Sequence, residues 1–278
     1  MGLHGIALSA ESREVGSTEM VARSSRSHSL RRADESTNVR HGQYRLRLAT
    51  TETEILAALR LRFLVFNLEL GEGLDSAYAT GYDRDPWDSV CDHLIVEHLA
   101  SGRIVGTYRL QTGAMAVANL GFYSEREFDF STYRQLSNSL IELGRACVHR
   151  DHRSSDVLYL LWQGIAQYAV HKDARYLVGC SSLTSQDPAH GTTVYERLRD
   201  YLVEAPLRTT PHVSFAMPVI RAENASAKVP KLLRTYLAIG AKICGPPAID
   251  REFKTIDFLT FLDLETLHPR VRARFIKA

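Results

Sequence analysis

The chain lacks cysteine pairs at ligand spacing, an apolar run long enough to cross a bilayer, and an excess of charge of one sign. Its four cysteines, Cys91, Cys147, Cys180 and Cys244, stand far apart, and no CxxC occurs among them. This excludes the spacing of a zinc site or a redox dithiol and fits buried free thiols in a reducing compartment. No stretch approaches the roughly 20 apolar residues of a spanning helix. The first eight residues have neither the basic n-region nor the long h-region of a secretory leader, so the expected location is the cytoplasm, with peripheral attachment to the inner membrane as the variant. A formal net charge of +2 is too small to argue for a nucleic-acid partner. Self-similarity at a fixed period is missing as well, which sets solenoids and propellers aside.

What is present is a length of 278 residues with 45% apolar content, enough for a substantial core. Residues 1–43 are rich in Ser, Arg and Glu and nearly free of aromatics. Such a segment buries too little to offset its chain entropy, so a disordered tail is expected there, with one folded domain over 44–278. Tyr44 to Ala49 alternates as a first strand. Thr51 or Thr53 caps a helix reaching Leu70, stopped by Gly71 and Gly73. A polar loop from Asp75 to Asp88 leads into a hairpin, Cys91 to Leu99 and Arg103 to Gln111, turned at Ser101-Gly102. A short helix is expected within 128–138.

The rest is organised around Ile141-Glu142-Leu143-Gly144-Arg145-Ala146-Cys147-Val148-His149. It has the length and apolar content of a central strand, yet holds two charges, which are costly in a core unless paired or used. The following run from Val157 to Tyr168 is a helix capped by Ser154, Ser155 or Asp156, and its N-terminus offers free N–H groups to an anion. Further on come a strand over 175–183, a helix from Asp187 or Thr192 toward Val203, and a short strand at 213–216. A helix over 231–239 is closed by Gly240. Late strands at 241–244 and 255–262 follow, then a basic terminal helix, Leu264 to Phe275, with Arg270, Arg272 and Arg274, and Lys277 just beyond. The order predicts an α/β fold, a mixed sheet with helices on both faces.

This order, with the residues in it, resembles the GNAT acyltransferase superfamily. More narrowly it is similar to the branch of bacterial ornithine N-acyltransferases and N-acyl amino acid synthases, relatives of the acyl-homoserine lactone synthases. The resemblance is carried by Arg62-Phe63-Leu64-Val65-Phe66, by the run from Asp83 to Leu94, by Val105-Gly106-Thr107-Tyr108-Arg109-Leu110 and by Glu142 to His149. Trp162 to Ala166 and the run from Pro230 to Asp250 complete it, over about residues 44–270. It implies a mostly antiparallel central sheet splayed at the central strand. In one respect the chain departs from many acetyl-CoA enzymes of the superfamily. The turn after the central strand, Arg150 to Asp156, has no glycine. The branch that uses acyl carrier protein is closer, so the implied co-substrate is the acyl-phosphopantetheine of acyl carrier protein, with no permanently bound cofactor.

Acyl transfer from a thioester to an amine needs a deprotonated amine, a held carbonyl and a protonated leaving thiol. The resemblance makes Glu142 the candidate base, acting through water, with Arg145 beside it. A structural Glu–Arg ion pair is the other reading. Strict alternation points the two to opposite faces, so both can line one pocket only across a bulge, expected near Gly144. The candidate acceptor site is Arg62, Phe66, Asp85, Asp88, Asp92 and Arg109, cations for a carboxylate and acids for an ammonium. Asp83 is read as turn chemistry. Arg150, Arg153, Ser154 and Ser155 are placed at the phosphopantetheine and carrier contact. His93 and His149 are second choices. Cys147 is read as core, and no third ligand is spaced to join Asp92 and His93 as a metal site.

The expected activity is therefore transfer of a (3-hydroxy)acyl chain from acyl carrier protein to the α-amine of an amino acid, ornithine first, giving lyso-ornithine lipid. The other readings are an N-acyl amino acid or acyl-homoserine lactone synthase with another acceptor, and a non-catalytic module that binds acyl carriers or lipids.

Overall fold

Residues 37–221 and 228–275 are described in the structure, a computed structural model. The alternating segment at the start is a strand, but it has a partner the sequence reading did not give it. Strand β1, Val39–His41, pairs antiparallel with β2, Tyr44–Leu48, so the expected tail yields its last residues to the sheet. Positions 1–36 of that expected tail lie outside the described residues.

Helix α1, Glu52–Phe63, starts at Thr51 with a reciprocal capping box: Thr51 accepts from the Glu54 N–H, and the Glu54 carboxylate accepts from the Thr51 N–H. The helical path then continues to Leu70 as expected, but widened into a π-helical turn, Leu64–Leu70, which Gly71 ends in the left-handed region. Helix α2, Ala77–Thr80, and a 3₁₀ turn, Pro86–Ser89, occupy the polar loop.

The hairpin is β3, Asp92–His98, against β4, Arg103–Thr112. Leu94 opposes Tyr108 and His93 opposes Arg109. Pleating therefore sends Leu94, Val96, Tyr108 and Leu110 to one face and His93, Thr107, Arg109 and Gln111 to the other. Two short helices follow, α3, Gly113–Ala118, which the sequence reading missed, and α4, Ser131–Arg134.

The central strand is β5, Leu140–Val148, and helix α5, Ser155–His171, begins at an N-cap on Ser154. Strand β6, Tyr176–Leu183, and helix α6, Pro188–Arg197, capped by Asp187, come next. The expected strand near 213 is instead a 3₁₀ turn, Val213–Phe215, followed by a single bridge from Ala216 to Ala248. Helix α7, Lys231–Ala238, leads into β7, Lys242–Ile243, β8, Ala248–Asp250, and β9, Thr255–Asp263. Helix α8, Pro269–Phe275, ends the described chain, with Lys277 outside it.

Among the described residues one sheet runs β1-β2-β3-β4-β5-β6-β9-β7, with β8 on β9. Every pairing is antiparallel except β5 with β6. Helix α5 packs on the face carrying Leu46, Leu94 and Tyr108, and α1 on the opposite face beside β4 and β5. The fold is thus the expected mixed, mostly antiparallel sheet with helices on both faces. Gly164 lets α5 sit close, since a Cβ there would lie 2.6 Å from a Leu46 methyl. No helix among the described residues is long and apolar enough to cross a membrane.

Candidate active site

The central strand is irregular where the sequence carries its charges. Against β4, Thr107 opposes Cys147 and Arg109 opposes Gly144, so Arg145 and Ala146 together span one β4 residue. This is a bulge, one residue past the expected position. Arg145 sits at φ +51°, a left-handed conformation that costs a non-glycine residue of order 1 kcal/mol. On the other side β5 and β6 pair only from Leu140–Tyr176 to Glu142–Val178. Beyond Glu142 the two strands fork. The bulge turns Arg145 to the same face as Glu142 and Arg109, which alternation alone would have prevented.

Three arginines and three aspartates meet on that face. Arg62 of α1 forks onto Asp88 at 2.6 and 3.1 Å and gives its Nε–H to Asp83 at 2.7 Å. Arg109 of β4 donates to Asp85 at 2.5 Å and Asp88 at 3.0 Å. Arg145 donates to Asp85 at 2.9 Å, and its Nε lies 3.5 Å from Asp83. All six are buried or nearly so, and their formal charges cancel. Burial would raise the Asp88 carboxyl, but Arg62 and Arg109 hold it well below the carboxylate range. Asp85 is likewise lowered, burial being outweighed by Arg109 and Arg145. Asp85 and Asp88 also form a capping box on the 3₁₀ turn, which fixes both carboxylates toward the arginines.

Tyr123 covers the network. Its ring centre lies 5.0 Å from the Arg109 guanidinium carbon and 4.9 Å from that of Arg145, and its hydroxyl accepts from Arg145 at 3.3 Å. Phe253 closes the other side of Arg145 at 4.3 Å.

Glu142 is 4% exposed and makes no ion pair with an arginine among the described residues. Its carboxylate accepts the backbone N–H groups of Tyr123 and Ser124, each at 2.7 Å. Burial raises its pKa, and the Ser124 and Tyr123 donors, with Arg109 behind them, only moderate the shift. The structural Glu142–Arg145 pair entertained from the sequence is therefore not formed.

Glu142 and Arg145 line one cavity of about 250 Å³. Its polar end holds these two with Tyr123, Phe66 and Phe253. Its apolar end, formed by Tyr108, Trp162, Leu177, Tyr236 and Leu262, lies under α5 on the opposite face of the sheet. The cavity thus passes through the fork between β5 and β6.

A family model described as an acetyltransferase (GNAT) domain matches residues 61–163, the span from α1 through the first half of α5. An L-ornithine N(alpha)-acyltransferase from Agrobacterium fabrum is 34% identical over 247 residues, covering 83% of this chain and 84% of its own length. One of the same name from Brucella abortus is 34% identical, covering 85% and 89%. The chain belongs to the L-ornithine N(alpha)-acyltransferase family. Among solved structures, the N-acyl amino acid synthase FeeM from uncultured soil microbes shares the fold, with a TM-score of 0.50 at 12% identity over 84% of this chain and 94% of that one.

Within this acyltransferase not every residue singled out from the sequence reaches the cavity. Asp92 opposes Leu110, not Arg109, and so faces α5, where it accepts a hydrogen bond from the Tyr168 hydroxyl at 2.8 Å. It is separated from the acceptor set by the sheet. Arg150, Arg153, Ser154 and Ser155 gather at the start of α5 but do not line the cavity. The Arg153 fork holds Glu69 at 2.6 and 2.8 Å, and the Ser154 hydroxyl accepts from the Val157 N–H as the helix cap. His93 is buried against the Asp88 carbonyl at 3.0 Å, its pKa lowered by burial. His149 starts the 3₁₀ turn that follows β5. Cys147 packs in a small apolar cluster with Leu61 and Phe66.

Asp83, read as turn chemistry, is instead fully buried and paired. Tyr123, Ser124 and Phe253 were not foreseen. They sit in loops with no periodic signal. The one available hint was the acid at Glu142, which needed donors from somewhere.

Proposed function

We propose that this acyltransferase moves a (3-hydroxy)acyl chain from the phosphopantetheine thioester of acyl carrier protein to the α-amine of L-ornithine, giving lyso-ornithine lipid. The acceptor follows from the relatives' printed name. The reading rests above all on one observation: a buried carboxylate, free of arginine, lines the same cavity as the mouth of the β5–β6 fork.

In this reading the thioester arm enters the fork, and its acyl chain runs to the apolar end at Trp162 and Tyr236. Backbone N–H groups along the fork, where β5 and β6 no longer pair, polarise the carbonyl. The acceptor's amine nitrogen attacks the carbonyl carbon. As the C–N bond forms and the C–S bond breaks, Glu142 takes the amine proton through a water, and the departing thiolate is protonated in turn. Burial suits Glu142 to this role, because a carboxylate with a raised pKa is a better base than one in water. Arg145 and Arg109 hold positive charge beside the developing oxyanion, while Arg62, Asp83, Asp85 and Asp88 fix them in place.

The positive end of α5 and the exposed Arg150 suit the carrier's phosphate and its acidic surface. Arg270 and Arg272 on α8 suit contact with an anionic membrane, where an amphipathic product would leave.

The test supplies purified protein with acyl carrier protein thioester and ornithine and follows amide formation by mass spectrometry. The wild-type chain should make N-acylornithine. Glu142→Gln keeps one of the two N–H contacts on its carbonyl oxygen, turns its NH2 toward the other, and should lose roughly 10²–10⁴-fold in kcat while still binding the carrier. Turnover unchanged in Glu142→Gln rules out the base assignment, and no product with any amino acid would point to a binding module.

A further inference from the structure

The arginine–aspartate network leaves a question about the second charge of a diamino acid. Asp85 and Asp88, expected to meet an ammonium, already hold arginines, and Asp92 faces the wrong way. Acids without a cation lie elsewhere on the same face. An oxygen of Glu127, the sulfur of Cys180 and an oxygen of Asp257 fall within 4.8 Å of one another. Glu127 and Asp257 are 2% and 4% exposed, and Cys180 and Asp257 line the cavity. Neither acid makes an ion pair with Lys or Arg among the described residues. Arg126, the nearest cation to act on Glu127, is held by Glu252 at 3.1 Å.

A second observation points to a missing donor. The Thr255 hydroxyl donates to Asp257 Oδ2 at 3.2 Å and the Ser182 hydroxyl acts on the same carboxylate, but Oδ1 has no donor in hydrogen-bond geometry. A buried carboxylate oxygen left unpaired costs free energy that a folded chain ordinarily avoids. Register places it well. Asp257 opposes Ser182 on β6, Cys180 is two residues back, and Val178, two further, opposes Glu142. All share one face. Val178 and Ser182 are about 13 Å apart along the strand, and the side chains close that gap toward Cys180, whose sulfur lies within 4.8 Å of an Asp257 oxygen. Ser124 links the two ends: its N–H donates to Glu142 at 2.7 Å, and its hydroxyl accepts from the Cys180 thiol at 3.5 Å.

We propose that Glu127 and Asp257 form the subsite for the side-chain ammonium of a diamino acid acceptor, with Ser124 and Cys180 lying between it and the α-amine at Glu142. This rests on the reading of the chain as an N-acyltransferase of amino acids. Burial, with Asp257 and Asp250 nearby, raises the Glu127 carboxyl well above its ordinary range. An arriving ammonium supplies a donor to Asp257 Oδ1 and a positive charge between the two acids. Burial and the neighbouring acids raise the Cys180 thiol well above its ordinary range. A site built to meet a charged donor discriminates strongly against the analogue without it.

The experiment compares L-ornithine with L-norvaline, which has the same carbon chain and no second amine, at saturating acyl carrier protein thioester. The wild-type enzyme should favour ornithine at least 100-fold in kcat/KM. Asp257→Asn and Glu127→Gln should each lower that preference at least tenfold, through KM for ornithine. Equal losses for both acceptors, in variants whose circular dichroism is native, overturn the subsite and leave the acyltransferase reading standing. Calorimetric titration of ornithine into the donor-free protein reads the site without turnover. Heat present in wild type and lost in Asp257→Asn supports the subsite even if no amide is formed, in which case the reading of the reaction alone fails. Heat that persists in both variants, or stoichiometric metal in the purified wild-type protein, overturns the subsite.

Discussion

Arg62 shows how much the site depends on single side chains. It is 1% exposed, a position where an isolated guanidinium would be ruinous. It is tolerated because every edge is met: Asp83 on Nε, Asp88 on both terminal nitrogens. Removing one partner from a buried network costs about 3–5 kcal/mol, because the other charges stay behind. Arg62→Leu should therefore lower the midpoint of thermal unfolding on the order of 10 °C, read by circular dichroism. Arg62→Lys should recover only part of this, since an ammonium cannot hold a fork. A midpoint within two or three degrees of wild type in Arg62→Leu would mean that the aspartates do not need it. Arg145 faces a different demand. Its left-handed backbone would suit glycine better, yet only a guanidinium can reach Asp85 and sit between Tyr123 and Phe253. Strain held at one residue for the sake of its side chain is what a functional position looks like.

The fork between β5 and β6 is the element that makes a site of these residues, and Gly179 sits at its apex. A Cβ there would lie 2.1 Å from the Leu143 carbonyl oxygen, a backbone atom that cannot swing aside. Gly179→Ala should push the strands apart at the last point where they still touch, misplace Glu142 against the thioester, and reduce kcat by at least tenfold with a lesser change in stability. Kinetics and a melting curve of the same variant separate the two, and wild-type kcat would show that the apex can yield. Much of this element was legible beforehand. Two charges on a core strand demanded a use, and their spacing demanded a bulge if both served one pocket. The hairpin also followed from local chemistry, and each helix cap fell on one of the two or three residues the sequence offered: Thr51, Ser154 and Asp187. Asp92 could have been placed correctly, because it shares parity with Leu94 and Val96, not with His93. Tyr123, Ser124, Phe253 and the burial of Asp83 were not legible. Each depends on contacts between loops far apart in sequence, for which neither periodicity nor turn chemistry gives a signal. The brief strand β1 and the π-helical turn escaped for a related reason: packing against the sheet overrode weak local preference.

Taken as a whole, the molecule holds two sets of buried or half-buried acids with opposite leanings, and its stability should record both. Asp85, Asp88 and Glu54, whose carboxyls are lowered despite burial by Arg109, Arg62 and Arg47 respectively, support the fold while ionised. That support is complete above the unfolded carboxylate range near pH 4 and is lost as the pH falls below it. Asp257 leans the other way. Burial, with Asp250 adding to it, pushes it up to about 6 against the pull of the Ser182 and Thr255 hydroxyls, and burial, with Asp257 adding to it, takes Glu72 to about 7 against the Thr184 hydroxyl. Glu127 and Glu142 are raised by burial as well. For these groups the folded state binds protons more tightly than the unfolded chain does. For Asp257 and Glu72 the penalty is absent below about pH 4, grows as each ionises, and is complete above about pH 7. The thermal midpoint should therefore peak near pH 5 and decline toward pH 8. Asp257 is faced by Glu127, Asp250, Glu72, Cys180, Ser182 and Thr255, and among the described residues no Lys or Arg forms an ion pair with it. Asp257→Asn removes the titrating group while keeping its shape, and should raise the midpoint at pH 7.5 by several degrees and not at pH 4. Ornithine should stabilise the wild-type protein at pH 7.5 by mass action and do little for the variant. Differential scanning fluorimetry across pH 4–8, with and without ornithine, measures all of this. A wild-type profile that rises steadily to pH 8, or a variant no more stable at pH 7.5, would show that the acids across the fork carry no unmet charge. The case for an ammonium between them would go with it.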